Sequence, residues 1–276
     1  MPPSPAPLEP FFRVVGEDAD VTRVTATDST AGPWFPGAQH MGPPSALLTR
    51  ALERCADRHD PAGGEALELA RLTVEVLGRV PLGELEVRAA VARAGRTIEL
   101  VTAELVAVAE GRPVARAAGW FHGVADTAAA AGGAGEPLAP PSTGRTRERP
   151  AGWLPGYLDA VDWRWLAGGL DEPGAGAAWG RLRVPVVEGE TPSPWQRCAA
   201  IADSTNGVGA RLDLNEWIFM NTDLTVHLHR APQGEWVGLD AHGVVGPRGS
   251  GTAWSVVHDE QGPVGRAAQA LTVRPR

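Results

Sequence analysis

The chain carries a faint copy of itself at an offset of about 150 residues, and this constrains its fold more than any other feature. The first copy holds Leu72-Thr73-Val74, then Pro81-Leu82-Gly83-Glu84, then Gly111-Arg112-Pro113-Val114 running into Ala117-Ala118. The second holds Leu224-Thr225-Val226, then Pro232-Gln233-Gly234-Glu235, then Gly262-Pro263-Val264 running into Ala267-Ala268. Upstream of each lies a proline that opens an apolar stretch, Pro44 in one and Pro194 in the other. A period this long predicts two fused domains, not a solenoid of short repeats. A residue present in one copy and absent from the other then becomes a functional candidate.

A length of 276 residues lets each of two domains bury its own core. No apolar run reaches the roughly 20 residues that cross a bilayer, and the start, Met-Pro-Pro-Ser-Pro-Ala-Pro, does not read as a signal peptide. The expectation is a cytoplasmic protein without membrane insertion. A net charge of −8 argues against nucleic acid as a partner. All 25 basic side chains are Arg, which excludes a Schiff-base or phosphate-loop lysine. Cys55 and Cys198 lack metal-ligand spacing and read as small buried apolar residues.

Short strands are expected at 11–15 and 21–26, followed by a Gly/Pro-rich loop and a helix from about Ser45 to Arg58. Leu48, Leu52 and Cys55 give that helix one apolar face. A loop over 60–64 leads into strands at 67–79, 84–94, 97–109 and 113–122, joined by short glycine-centred turns that predict an antiparallel meander. The pattern then recurs: strands at 157–166 and 177–187, a helix at 194–204, and strands at 222–230, 234–246, 250–260 and 263–273. The class is α+β, a helix covering one face of an antiparallel sheet, twice over. Domains are expected at 1–123 and 153–276, with a flexible linker over 124–152 that contains Ala-Ala-Ala-Ala-Gly-Gly-Ala-Gly.

The stretch from Asn221 to Trp236, with His229-Arg230 and Gly234-Glu235-Trp236, together with Gly262 to Gln269, resembles the second half of type II acyl-CoA thioesterases. The resemblance is strong over 198–272 and loose over most of the rest, and the linker and the first 30 residues carry no family signal. It implies two fused hot-dog domains, each a helix wrapped by an antiparallel sheet, and hydrolysis of acyl-CoA or carrier-bound acyl thioesters without a cofactor. In that family an Asp, a Thr or Ser, and a Gln position and activate the attacking water. Asp223 stands where the family Asp precedes the His-Arg pair, and Gln269 matches the Gln of the last strand. The hydroxyl expected after the Glu-Trp strand is absent from Asp240 to Val245, and Thr225, His242, Ser250 or Thr252 are the substitutes on offer. Thr225 completes the expected catalytic set.

A carboxylate can deprotonate water, an amide can hold it, and helix N-terminal N–H groups can meet an oxyanion. The repeat supports Asp223 and Gln269, because Arg71 and Gly119 occupy their places in the first copy. His40, Gly42, Asp203, Asn206 and Arg230 are candidates for lining the substrate path, Arg230 against a phosphate of coenzyme A. Backbone N–H groups from Gly42 to Ala46 are further oxyanion candidates. Arg230 and Glu235 otherwise read as a surface pair across a turn. His227 and His229 share a strand face but lack a third ligand at metal spacing, so no metal is expected. The missing hydroxyl keeps two alternatives open: an acyl-thioester hydratase or dehydratase, and a non-catalytic acyl-binding protein. A homo-oligomer is compatible with all three.

Overall fold

The structure is a computed structural model that describes residues 8–18, 21–59, 66–150, 153 and 155–276. The Pro-rich start through residue 7 and the loop expected over 60–64 lie outside the described residues.

Alternating strands build one antiparallel sheet. In the first half these are β1 (Phe12–Glu17), β2 (Val21–Ala26), β3 (Leu67–Val76), β4 (Glu84–Arg93), β5 (Ile98–Ala107) and β6 (Arg112–Gly123). The second half supplies β7 (Val161–Gly169), β8 (Glu172–Leu182), β9 (Trp217–Asn221), β10 (Asp223–Leu228), β11 (Val237–Val245), β12 (Ser250–Asp259) and β13 (Gly262–Pro275). The order is β1-β2-β4-β5-β6-β3-β10-β13-β12-β11-β8-β7, with β9 against the far end of β13. Read outward from the centre, the two halves follow matching orders.

The repeated Leu-Thr-Val is the seam. Leu72 faces Val226, Thr73 faces Thr225, and Val74 faces Leu224 across β3 and β10. Each copy of the motif therefore pairs with the other about an internal two-fold passing through the two threonines. Leu72, Val74, Leu224 and Val226 are all buried on the inner face. Strand parity puts Thr73 and Thr225 on the outer face, where their hydroxyls lie 3.4 Å apart.

Helices α1 (Gly42–Arg58) and α2 (Pro194–Ala202) lie on the inner face and pack on each other. A short helix, α3 (Thr205–Val208), follows α2. Ser193 caps α2 by accepting the Gln196 N–H at 3.1 Å, and Pro194 fills the first turn, where a missing N–H costs nothing. The two helices approach closely at Gly42, where a Cβ would stand 2.5 Å from the Ala200 carbonyl oxygen. Burial of Leu47, Leu48, Leu52 and Ile201 here accounts for much of the core, at about 1.5–3 kcal/mol per large side chain. Both cysteines are buried, and burial pushes the Cys198 thiol up to about 12.

Three local expectations change. The first helix begins at Gly42, because the chain turns into it before the two prolines. Residues 157–160 form a turn that buries Tyr157, and the strand starts at Val161. The strand expected over 222–230 is β10, and an unexpected strand, β9, precedes it across a break at Thr222. Much of the expected linker is fastened to the second-half sheet: Trp179 Nε1 donates to Ala139 O at 2.8 Å, and Arg145 exchanges two 2.8 Å backbone bonds with Trp165.

Candidate active site

Strand parity decides which polar residues can meet. On β13, Gln269 is buried between Ala267 and Leu271 on the inner face, and its neighbour Ala270 faces outward. Asp223 lies beside that outer position, its Oδ1 accepting the Ala270 N–H at 2.7 Å. Asp223 and Gln269 therefore point to opposite faces of the sheet. Thr225 is two residues from Asp223 on β10 and shares its outer face. The structure does not bring the expected Asp223, Thr225 and Gln269 together.

Another carboxylate stands beside Gln269. Asp203 caps the C-terminal end of α2, where the chain breaks before α3. Gln269 spans this break, donating Nε2–H to the Asp203 carbonyl oxygen at 3.0 Å and accepting the Asn206 N–H on Oε1 at 2.9 Å. Asn221, the last residue of β9, donates from Nδ2 to Asp203 Oδ1 at 2.9 Å. Asp203 Oδ2 lies 3.2 Å from His40 Nδ1, which comes from the loop ahead of α1. The first half thus contributes to a cluster otherwise built by the second.

The contact between Asp203 and His40 is not an ion pair, because the imidazole is uncharged. Burial pushes the Asp203 carboxyl up to about 7, against the opposing effect of the Asn221 hydrogen bond. The same burial pushes His40 down to about 3. The imidazole stacks on Tyr157 with centroids 4.0 Å apart and planes 12° apart. Tyr157 is fixed through its hydroxyl, 2.8 Å from Ala200 O and 3.0 Å from Ser204 Oγ. Its own ionisation is pushed up, chiefly by burial.

This cluster backs onto a cleft of about 1220 Å³. His40, Ser204 and Asn206 form part of its wall, with Asp203 directly behind them. The remaining lining mixes aromatic and apolar side chains, among them Trp34, Trp153, Trp163, Trp165 and Phe219, with charges of both signs, Arg147 paired with Asp171 and Arg149 with Asp159. A second cleft of about 1050 Å³, in the first half along Thr73, Thr102 and Ala118, includes none of the Asp203 cluster.

The other expected residues fall as follows. Asn206 is buried at the cleft wall, with its backbone held by Gln269. Gly42 N–H is committed to His40 Nδ1 at 3.0 Å and Ser45 N–H to Met41 O at 2.9 Å, so these groups do not offer themselves to an oxyanion. Arg230 is bound to Asp259, Nη2 to Oδ1 at 2.7 Å, and takes no part in the cleft lining. Glu235 instead lies 3.6 Å from Arg181, so Arg230 and Glu235 are not a pair. His227 and His229 are exposed, and among the described residues no group of three His, Cys, Asp or Glu is placed to hold a metal. No helix among them is long and apolar enough to cross a membrane. Sequence reasoning missed Asn221 and Tyr157, and the break at Thr222 that frees Asn221 to turn inward carries no glycine or proline to announce it.

A family model for the acyl-CoA thioesterase C-terminal domain matches residues 136–273, and its N-terminal counterpart matches residues 30–122. The chain belongs to the acyl-CoA thioesterase family. It is a thioester hydrolase, and its solved structural neighbours show the hot-dog fold. A hot-dog protein from Alicyclobacillus acidocaldarius is 16% identical, with 95% of each chain covered and a TM-score of 0.72. A thioesterase II candidate from Thermobifida fusca is 17% identical, with 95% of each chain covered and a TM-score of 0.73. An acyl-CoA thioesterase II from Mycobacterium marinum is 14% identical, covering 95% of this thioesterase and 96% of its own chain, with a TM-score of 0.66. No curated protein matches the sequence significantly.

Proposed function

We propose that this thioesterase is a pair of fused hot-dog domains that hydrolyses acyl-CoA to free acid and thiol at the Asp203 cluster. The observation that carries the reading is a buried carboxyl with a raised pKa, held by the Asn221 amide on a turn that Gln269 fixes, directly behind an aromatic-lined cleft. A general base works best with a pKa near the operating pH, and burial brings Asp203 to that range from the ordinary carboxylate value. Asn221 orients the carboxylate. Gln269 fixes the turn that carries it. Water drawn from the cleft past His40 and Ser204 gives its proton to Oδ2 and attacks the carbonyl carbon.

The cleft supports the substrate class. Its tryptophans and leucines suit an acyl group. Asp203 and Asn206 are part of the second domain and His40 of the first, so the site needs both halves in one chain.

Thiol release from a series of acyl-CoA esters of increasing chain length tests the proposal. Release is expected from at least part of the series, and Asp203→Asn should reduce kcat by about 10²–10⁴-fold, the contribution of a positioned general base. A wild-type enzyme that releases no thiol from any ester, or an undiminished Asp203→Asn variant, would sink it.

A further inference from the structure

We propose that His40 is a further catalytic residue, presenting its Nε2–H to the cleft as the donor that meets the oxygen of the scissile thioester carbonyl. This rests on the hydrolase reading above and adds to it a role for the first half of the chain.

Three independent observations fix the ring. First, Nδ1 accepts the Gly42 N–H at 3.0 Å. A ring nitrogen that accepts has its lone pair there, so the neutral imidazole carries its proton on Nε2. Second, Gly42 opens α1, which brings the positive end of that helix against the ring. A helix N-terminus disfavours imidazolium and leaves the neutral ring as an electrophile. Third, Tyr157 lies flat against one face of the imidazole and is held by two hydrogen bonds of its own. The stack holds the ring in its plane, and the Gly42 hydrogen bond selects which edge carries Nδ1.

Both polar neighbours of His40, Gly42 N and Asp203 Oδ2, lie at Nδ1. His40 also lines the cleft, so its Nε2 edge is the one turned to substrate. A base role fits poorly, because burial makes this imidazole too weak a base to take a proton from water. Donation asks nothing of its basicity. It also fills a gap, since the helix N–H groups at Gly42 and Ser45 are already engaged.

Water attacks the carbonyl carbon while Asp203 takes its proton, and the carbonyl π electrons move to oxygen, where Nε2–H meets the negative charge. Collapse restores the carbonyl and breaks the C–S bond. The thiolate leaves and takes the proton back from Asp203.

The test uses two variants and one spectrum. His40→Phe keeps the stack on Tyr157 and removes the donor; kcat should fall about 10²–10³-fold with KM changed only a few-fold, the usual cost of one oxyanion donor. His40→Gln restores an N–H at similar reach and should recover at least tenfold of that loss. A His40→Phe enzyme with kcat within threefold of wild type, while Asp203→Asn is inactive, would overturn the inference and leave the hydrolase reading standing. Absence of hydrolysis by wild type would instead overturn the hydrolase reading. Nitrogen NMR of histidine-labelled wild type at pH 7, with His40→Gln identifying the signal, needs no variant activity. Protonation at Nε2 alone is expected, and a proton on Nδ1 would overturn the assignment.

Discussion

The repeat places two regions in matching positions, one at each end of the paired helices, and they have taken different courses. Around Asp203 lie neutral polar groups backed onto an open cleft. A shift of 150 residues leads to the other region, with Glu190 at the place of His40, Glu53 at that of Asp203, and Gly119 at that of Gln269. There Arg50, buried, donates to both oxygens of Glu190 at 2.6 Å and reaches Glu17 at 3.3 Å. Glu53 accepts from Ser193 Oγ at 2.7 Å and Gln196 Nε2 at 2.8 Å. A side chain at Gly119 would meet Leu69 at 2.9 Å and Leu52 at 3.2 Å. Burial raises the carboxyl pKa in both regions, at Asp203 and at Glu53, but only the Asp203 region keeps that carboxyl beside a void. Its counterpart saturates its carboxylates with donors and fills the void with leucine. The same scaffold thus leaves a buried carboxyl next to a cleft on one side and locks one into hydrogen bonds on the other.

Four perturbations bear on that contrast, in falling order of size. Gln269→Leu makes the active region resemble its counterpart and leaves two buried backbone groups, Asp203 C=O and Asn206 N–H, without partners. Denaturant unfolding should show a loss of about 2–4 kcal/mol, with kcat falling at least roughly tenfold as the turn loosens. Arg50→Leu attacks the other region. Its carboxylate partners are partly exposed, so the loss should be about 2–3 kcal/mol, below that for a wholly buried pair. Thiol release per folded molecule should stay near wild type, and a proportional fall in kcat would erase the division of roles.

Asp203→Asn should stabilise. The folded pKa of Asp203, about 7, lies above its unfolded value, so the folded state binds more protons between pH 4 and 7 and loses stability as pH rises through that window. The variant lacks this dependence and should gain roughly 1–3 kcal/mol over wild type at pH 8 and little at pH 4. For wild type, kcat/KM should rise with pH through about 7 as Asp203 ionises. Thermal melts and rate profiles across pH 4–9 check both. Smallest is Thr225→Val at the seam, where a 3.4 Å contact between half-exposed hydroxyls is lost; melting should shift by less than the equivalent of about 0.5 kcal/mol, with activity unchanged.

Much of the fold was legible because it rests on local periodicity. Alternation along 84–89 and 98–105 marked strands, Pro44 and Pro194 marked helix starts, and the Leu-Thr-Val repeat marked what proved to be the central pairing. Gln269 was legible through its match to the family and its replacement by Gly119 in the first copy. Asp223 was misplaced because spacing along a strand says nothing about which face a side chain takes once a neighbouring strand sets the parity. The true neighbour of Gln269, Asp203, read as a helix-terminal turn, and only the tertiary path of β13 beneath that turn gives it another role. Asn221 and Tyr157 act through contacts with residues 18 and 43–47 positions away, beyond the reach of any local pattern. The packing of Ala139 and Arg145 on the sheet was hidden by a Pro- and Ala-rich composition that reads as linker.

The central claim is that catalysis sits on the inner face at Asp203 and not on the outer face at Asp223. Thiol release from one acyl-CoA ester, measured side by side for Asp203→Asn and Asp223→Asn, tests it most directly. The expected result is a fall in kcat of about 10³-fold for the first and a change within about twofold for the second. A full loss in Asp223→Asn with Asp203→Asn near wild type would contradict the account.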